Sequence, residues 1–255
     1  MTQSGGPRRG IFVAPFDELV EARVLMDLAA CTEAAGWDGF FVWDHVRYSP
    51  PANAVADPWV ALAAVACATE RLTIGPLVTP LARRRIEKLA REAVTLDRLS
   101  GGRLVLGAGL GTDAHDEFRR FGDETDPRER ARLLDAGLTR LTELWDGEFV
   151  PPPLQRPRIP IWLASRWPNR RPLMRAARWD GLFPIELPGP DELAELVAEV
   201  HELREPGAGP FEIVVTNGAD VDPAPWAAAG ATWCLTGFSS TPSLGAVRSA
   251  IDAGP

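Results

Sequence analysis

The feature that most restricts how this chain can fold is an alternation that runs its whole length. Short, continuously apolar runs take turns with segments whose apolar residues recur every three or four positions. Continuous apolar runs suit strands buried on both faces, as in a parallel sheet covered by helices, whereas a half-exposed strand would alternate apolar and polar residues. The runs fall at 10–14, 39–43, 72–78, 103–109, 161–165, 181–185, 211–216 and 231–237. Helical segments lie between them. Val20, Val24, Leu28 and Cys31 share one face of a segment over 17–35 that Gly36 can end. Asp57-Pro58 and Asp126-Pro127 each place a capping acid before a proline at the first helical position. Leu134, Leu138, Leu141 and Trp145 line the second of these helices, and Ile86, Leu89, Ala93 and Leu96 line another over 85–99. Shorter helices follow at 170–178, from Pro190, at 223–229 and at 243–253.

Eight strand–helix units in 255 residues match the size of a (β/α)8 TIM barrel. A doubly wound open sheet is the structural alternative. The expectation is one barrel domain over 10–255, in a compact form without a large late insertion, after a flexible segment over 1–9. The proline-rich stretch at 149–160 reads as a connection inside that domain, because neither half alone would close a barrel.

Composition removes several function classes. The formal net charge of −8 argues against nucleic acid and against an anionic membrane surface. A local cluster, Arg83, Arg84 and Arg85, is the one basic patch that suggests a small-anion site. Cys31, Cys67 and Cys234 are odd in number and scattered, which reads as buried reduced thiols in a cytoplasmic protein. The longest apolar run, near 59–68, is about half the ~20 residues a membrane span needs. The polar N-terminus leads straight into a strand-like run too short for a signal peptide.

In a TIM barrel the C-terminal strand ends carry the chemistry. That rule selects Ala14-Pro15, Asp44-His45, Thr79, Gly109 with Thr112 and His115, Ser165-Arg166, Ile185-Glu186, Thr216-Asn217 and Thr236-Gly237. His45 is the best acid–base candidate, since an imidazole takes or gives a proton near neutral pH. His115 lies further out in a polar loop, and His201 reads as a surface residue between two glutamates. Asp44 is placed to orient His45, to accept a hydrogen bond from a cofactor ring, or to cap the following turn. The run Gly107-Ala108-Gly109-Leu110-Gly111 falls short of a dinucleotide fingerprint because Thr112 stands where the third glycine belongs. Its glycines instead let the backbone turn sharply and approach a bulky or planar group. No HxH, HExxH or GxSxG motif is present, and Lys88, the only lysine, sits inside a helix away from the strand ends. By elimination, a bound organic cofactor carries the reactivity.

The segments EAAGWDGFFVWDH (33–45), DPWVALAAVACATERLTIGPLVTPL (57–81), LAREAVTLDRLSGGRLVLGAGLG (89–111) and RPRIPIWLASRWPNRRPLMRAARWDGLFP (156–184) resemble the luciferase-like flavin-dependent oxidoreductases, which use FMN or the deazaflavin F420. The resemblance implies the same barrel and a catalytic pair, Asp44-His45, with the histidine over the cofactor ring. It implies that Pro76-Leu77 form the strand-three bulge, where many members carry a cis peptide behind the ring, and that Thr79 contacts the ring. It places Gly109 and Thr112 along the cofactor. Ala164, Ser165 and Arg166 would hold its phosphate-bearing tail, and Ile185 and Glu186 the loop after strand six. It also implies a small organic substrate, a homodimer and, for an FMN enzyme, a separate reductase.

Three departures stand out. Thr112 replaces a glutamate found in many F420-dependent members, Arg166-Trp167 replaces a Gly-Gly turn, and the late insertion is missing. The composition, rich in Ala, Arg, Gly and Pro, leans toward F420. The readings that compete with an oxidoreductase are a flavin- or F420-binding protein with reduced catalysis and a cofactor-free barrel lyase or hydrolase.

Overall fold

The computed structural model describes residues 6–255. Nine strands run parallel: β1 (Arg8–Val13), β2 (Gly39–Val42), β3 (Thr73–Pro76), β4 (Thr79–Pro80), β5 (Leu106–Gly109), β6 (Ile161–Arg166), β7 (Gly181–Ile185), β8 (Glu212–Asn217) and β9 (Trp233–Gly237). Their order is β3-β2-β1-β9-β8-β7-β6-β5-β4. The two ends of that list, β3 and β4, are neighbours in the chain, the first inside the run expected at 72–78 and the second just beyond it. The sheet therefore curls round until it nearly meets itself, and the Ile74–Leu104 bridge spans the gap. An open sheet would leave two unrelated edges, so the doubly wound alternative is set aside. The first strand starts two residues earlier than expected, with Arg8 and Arg9 paired to Trp233 and Cys234. The rest of the segment expected to be flexible lies largely outside the described residues.

The split between β3 and β4 has a steric cause on β5. A Cβ on Gly75 would sit 2.1 Å from the Val105 carbonyl oxygen, and one on Gly107 would sit 2.3 Å from that of Pro76. Only glycine lets these two backbones pass so closely. Between the two strands the Leu77–Val78 peptide is cis, one residue beyond the Pro76-Leu77 position expected for the bulge.

Helices α1 (Ala22–Ala34), α2 (Pro58–Ala68), α3 (Ile86–Leu99), α4 (Pro127–Glu143), α5 (Arg171–Ala176), α6 (Pro190–Leu203), α7 (Ala224–Ala228) and α8 (Leu244–Asp252) cover the outside of the sheet. Both Asp-Pro starts work as caps. Asp57 accepts from the Val60 amide at 2.9 Å, and Asp126 accepts from Arg128 at 2.7 Å. Outward-pointing strand residues such as Ile11, Val13, Phe40 and Val42 pack under the helices in one large core. Each such buried side chain stabilises the fold by about 1.5–3 kcal/mol. Their inward neighbours, Phe12, Phe41, Leu77, Trp162, Phe183 and Trp233 among them, fill the lumen as a second cluster. That plug divides the barrel into a mouth at the strand ends and a base at the strand starts. No described helix is long and apolar enough to cross a membrane.

Candidate functional site

The mouth holds a cavity of about 630 Å³, within the range of small-molecule sites. Its floor is the top of the lumen plug, Phe12, Leu77 and Phe183, and its walls are the loops that leave β2, β5, β6 and β7.

Asp44 and His45 follow β2 directly and part at once. The Asp44 carboxylate is fully buried. It accepts from Arg83 Nη2 at 2.8 Å, from Arg84 Nη2 at 2.8 Å, from the Thr79 hydroxyl at 2.7 Å and from the Trp59 indole at 3.2 Å. Its lone pairs are spent on holding α2, β4 and the segment before α3 together, and no hydrogen bond joins it to His45. The expectation that Asp44 orients His45 gives way to a different partner. His45 Nδ1 lies 2.7 Å from Glu117 Oε2, on the loop after β5. An ionised carboxylate only accepts, so Nδ1 carries the hydrogen and Nε2 is the atom free to exchange a proton.

Glu117 is 1% exposed and has three further partners. Its Oε1 accepts from Arg83 Nη1 at 2.6 Å and from the Val46 amide at 2.8 Å, with the Arg47 amide at 3.4 Å. Burial pushes its pKa up, but the His45 hydrogen bond, the charges of His45 and Arg83 and the Val46 amide outweigh burial, so the carboxyl titrates below its ordinary range. Arg83 thus bridges Glu117 and Asp44. The basic cluster read from sequence as a small-anion site supplies internal counter-ions, because Arg83 and Arg84 are committed to carboxylates of this chain.

Tyr48 and His115 form the wall beside His45. Their rings stack at 3.7 Å, the Tyr48 ring stands edge-on to His45 at 5.0 Å, and His115 is 5.8 Å from His45 between ring centroids. His115 Nδ1 also meets the Ser49 hydroxyl at 3.1 Å. Burial, then the charge of His45 and that of Arg47, lower the His115 pKa against the opposing pull of Glu117.

On the α4 side, Arg130 is 6% exposed and lines the cavity, and its side chain makes no hydrogen bond or ion pair among the described residues. Its Nε and Nη1 are buried without partners, and its neighbour is the Phe118 ring at 4.7 Å. A buried guanidinium without an acceptor is costly, which marks a place where an anion belongs. The sequence held a signal for it: the stripe Leu134, Leu138, Leu141, continued back one turn, lands on Arg130. Glu117 left no comparable mark, since its partners lie across loops.

The other expected residues divide into two groups. Leu77, Thr112, Ala164 and Arg166 line the cavity, as do Ile185 and Glu186. Pro76, Thr79, Gly109 and Ser165 stand behind that surface. The Ser165 hydroxyl donates to the Asn169 carbonyl at 3.2 Å, and Arg166 pairs with Glu186 at 2.5 Å on the exposed rim. The turn after β6, expected to hold a phosphate-bearing tail, therefore has both polar side chains engaged internally, while Arg130 across the cavity is not.

The luciferase-like monooxygenase family model matches residues 7–228. The F420-dependent glucose-6-phosphate dehydrogenase of Microbacterium testaceum is 34% identical over 134 residues, covering 49% of this chain and 38% of that protein. The 4-hydroxyprotoasukamycin monooxygenase of Streptomyces nodosus subsp. asukaensis is 29% identical over 174 residues, covering 61% and 46%. The matches span less than half the length of these relatives. Among solved structures, an F420-dependent secondary alcohol dehydrogenase with an F420-acetone adduct superposes with a TM-score of 0.79 at 17% identity, covering 97% of both chains. The FMN-bound oxygenating constituent of 3,6-diketocamphane monooxygenase from Pseudomonas putida gives 0.69 at 18%, covering 84% of this chain and 67% of that one. At such identities the structures speak for the fold alone, and the family match carries the assignment: this chain belongs to the luciferase-like monooxygenase family.

Proposed function

We propose that the mouth binds a flavin-type cofactor, F420 in preference to FMN, and that the protein is an oxidoreductase acting on a small organic substrate beside His45. The single observation that carries this reading is the pairing of two unmet needs across one cavity. Arg130 is a buried cation whose guanidinium has no bonded acceptor among the described residues, and His45 is an imidazole fixed at Nδ1 with Nε2 free. A phosphate-bearing cofactor would meet the first, with Arg130 as its charge partner. Leu77 and Val78 would back its ring, and the unpartnered indole N–H of Trp43 at the cavity wall is a donor for a ring or substrate oxygen. When bound, F420 supplies hydride transfer, and reduced FMN supplies oxygen activation.

The chain's own residues handle protons and shape. Glu117 keeps the His45 ring in one orientation. Nε2 is then placed to take a proton from a substrate hydroxyl or to return one to a carbonyl oxygen. The apolar floor excludes water from the reacting face. Thr112 cannot act as an acid, so His45 is the proton carrier this reading relies on. The intact His45–Glu117 pair favours catalysis over simple cofactor carriage. The outward face of α2, where Val60 is 67% exposed on a helix apolar all round, supports a homodimer. An FMN-dependent activity would also need a separate reductase.

The test is titration of the purified protein with F420 and with FMN, read by fluorescence. F420 should bind at micromolar or tighter dissociation constants, about −8 kcal/mol or better, and Arg130→Ala should weaken it at least tenfold. Absence of binding by either cofactor overturns the reading. Tight binding without reduction of any acceptor returns the protein to the carrier class.

A further inference from the structure

The barrel has a second hollow at its base, of about 400 Å³, lined by residues at the starts of the strands. Most of its polar side chains are engaged within the protein. Arg103 spends its guanidinium on the carbonyls of Ser100, Leu72, Ala66 and Thr69 and on the Thr69 hydroxyl. Gln155 donates to Asp97 at 2.8 Å and to the Leu104 carbonyl at 2.7 Å. Arg158 pairs with Asp180, whose Oδ2 also accepts from the Ile161 amide at 2.7 Å. Arg8 pairs with Glu212, whose other oxygen accepts from Thr232 at 2.5 Å. Every side-chain carboxylate of the lining is therefore engaged.

The buried side-chain atoms of the lining left without a partner are both donors. Trp162 and Trp233 are 2% and 0% exposed, both line the hollow, and neither indole N–H has a partner. Arg156, exposed at the rim, makes no hydrogen bond or ion pair among the described residues. An indole can only donate and a guanidinium can only donate. A carboxylate is acceptor-only, matches both indole donors and carries the charge opposite to that of Arg156. The remaining lining is Thr73 and Gly102 together with the apolar surface of Val105, Pro157, Pro160, Pro210 and the two indole rings.

We propose that the base hollow is a second binding site, separate from the mouth, for a small organic carboxylate. Its oxygens take the indole N–H groups and Arg156, and its carbon body rests against the tryptophan and proline faces. The volume suits a ligand the size of benzoate with room for substituents.

The experiment titrates the full chain with benzoate, acetate and inorganic phosphate in turn, reading intrinsic tryptophan fluorescence and melting temperature. Benzoate should change the fluorescence and raise the melting temperature with a dissociation constant of about 10 mM or lower, since ligand held only by the native state stabilises it. Arg156→Ala, an exposed change that leaves the core intact, should weaken benzoate about tenfold. Trp162→Phe, which keeps a ring but removes the N–H, should do the same. If that variant does not fold, Arg156→Ala decides. Arg130→Ala, at the mouth, should leave the benzoate response unchanged, so that failure of the mouth reading and failure of this one are separable. No response to benzoate up to about 100 mM overturns the site and leaves a water-filled hollow. A response lost in Arg130→Ala but kept in Arg156→Ala also overturns it, by moving the ligand to the mouth. Equal responses to phosphate and benzoate overturn the assignment to an organic carboxylate.

Discussion

The two ends of this barrel solve the same problem in opposite ways. Each brings arginines and carboxylates together around a hollow next to the aromatic lumen plug. At the mouth the pairs are buried and interlocked: Arg83 is shared between Asp44 and Glu117, and the side chains of all three are no more than 4% exposed. At the base the pairs are separate and wetter, with Arg8 at 42% exposure against Glu212. The difference teaches where precision is needed. An interlocked, dry set of charges fixes the positions of its members, and one member, Glu117, hands that fixity to the His45 ring. Separate half-exposed pairs tie strand starts together without orienting anything. The costs differ accordingly, because a buried charge that loses its partner cannot be solvated.

The largest expected effect tests that contrast directly. Arg83→Ala leaves two buried carboxylates without their shared cation and should lower the unfolding free energy by about 3–5 kcal/mol. Arg8→Ala should change it by less than about 1 kcal/mol, the scale of a solvent-exposed pair. Denaturant unfolding of both variants measures the ratio. Equal losses at the two ends would break the comparison.

His45→Ala comes next. It removes the acid–base group but leaves the ion pairs of Arg83 with Asp44 and Glu117 in place, so turnover should fall about 10²-fold while the F420 dissociation constant stays within a few-fold. Steady-state kinetics and fluorescence titration separate the two effects. An unchanged rate would show that the fixity of the mouth serves binding alone. A base-side control, Arg156→Ala, should leave both quantities where they were.

How much of this was legible in the sequence follows the distance over which each interaction acts. The strands and helices, the Asp-Pro caps and the strand-end position of His45 are local in the chain, and their patterns are readable within a dozen residues. The family motifs around 33–45 and 89–111 carried the barrel and the class of chemistry for the same reason. The partners of the site are not local. His45 meets Glu117 across 72 positions, and Arg83 reaches Asp44 across 39. Nothing in the run Asp116-Glu117-Phe118 tells a buried counter-ion from a surface acid. Arg83 and Arg84 misled in the opposite direction, since three arginines in a row read as free positive charge until the fold brings carboxylates to two of them. The resemblance made Thr79 a ring contact, but its hydroxyl donates to Asp44 and the residue stands behind the cavity surface. The split of the third strand was hidden for a steric reason: it arises where Gly75 and Gly107 let two backbones cross, and the apolar pattern runs on through the break.

The smallest effect asks whether the two ends differ in their response to pH. The lowered pKa of His115 means that the folded state gives up this proton more readily than the unfolded chain, whose histidine titrates near the ordinary 6.5. The unfolded state then binds more protons through the window just below 6.5, so stability rises with pH across that window and falls as pH drops through it. The groups that act on His115 are His45 and Arg47, which disfavour its charge, and Glu117, which favours it, so the net effect is expected to stay under about 1 kcal/mol. His115→Asn keeps a hydrogen-bonding side chain opposite Ser49 without a titrating ring. Its unfolding free energy should decline less than that of the unaltered protein between pH 7.5 and pH 5.5. The base hollow has no histidine in its lining, so its benzoate affinity should be level over the same interval. A benzoate affinity that followed the His115 titration would place the carboxylate at the mouth and erase the distinction between the two ends.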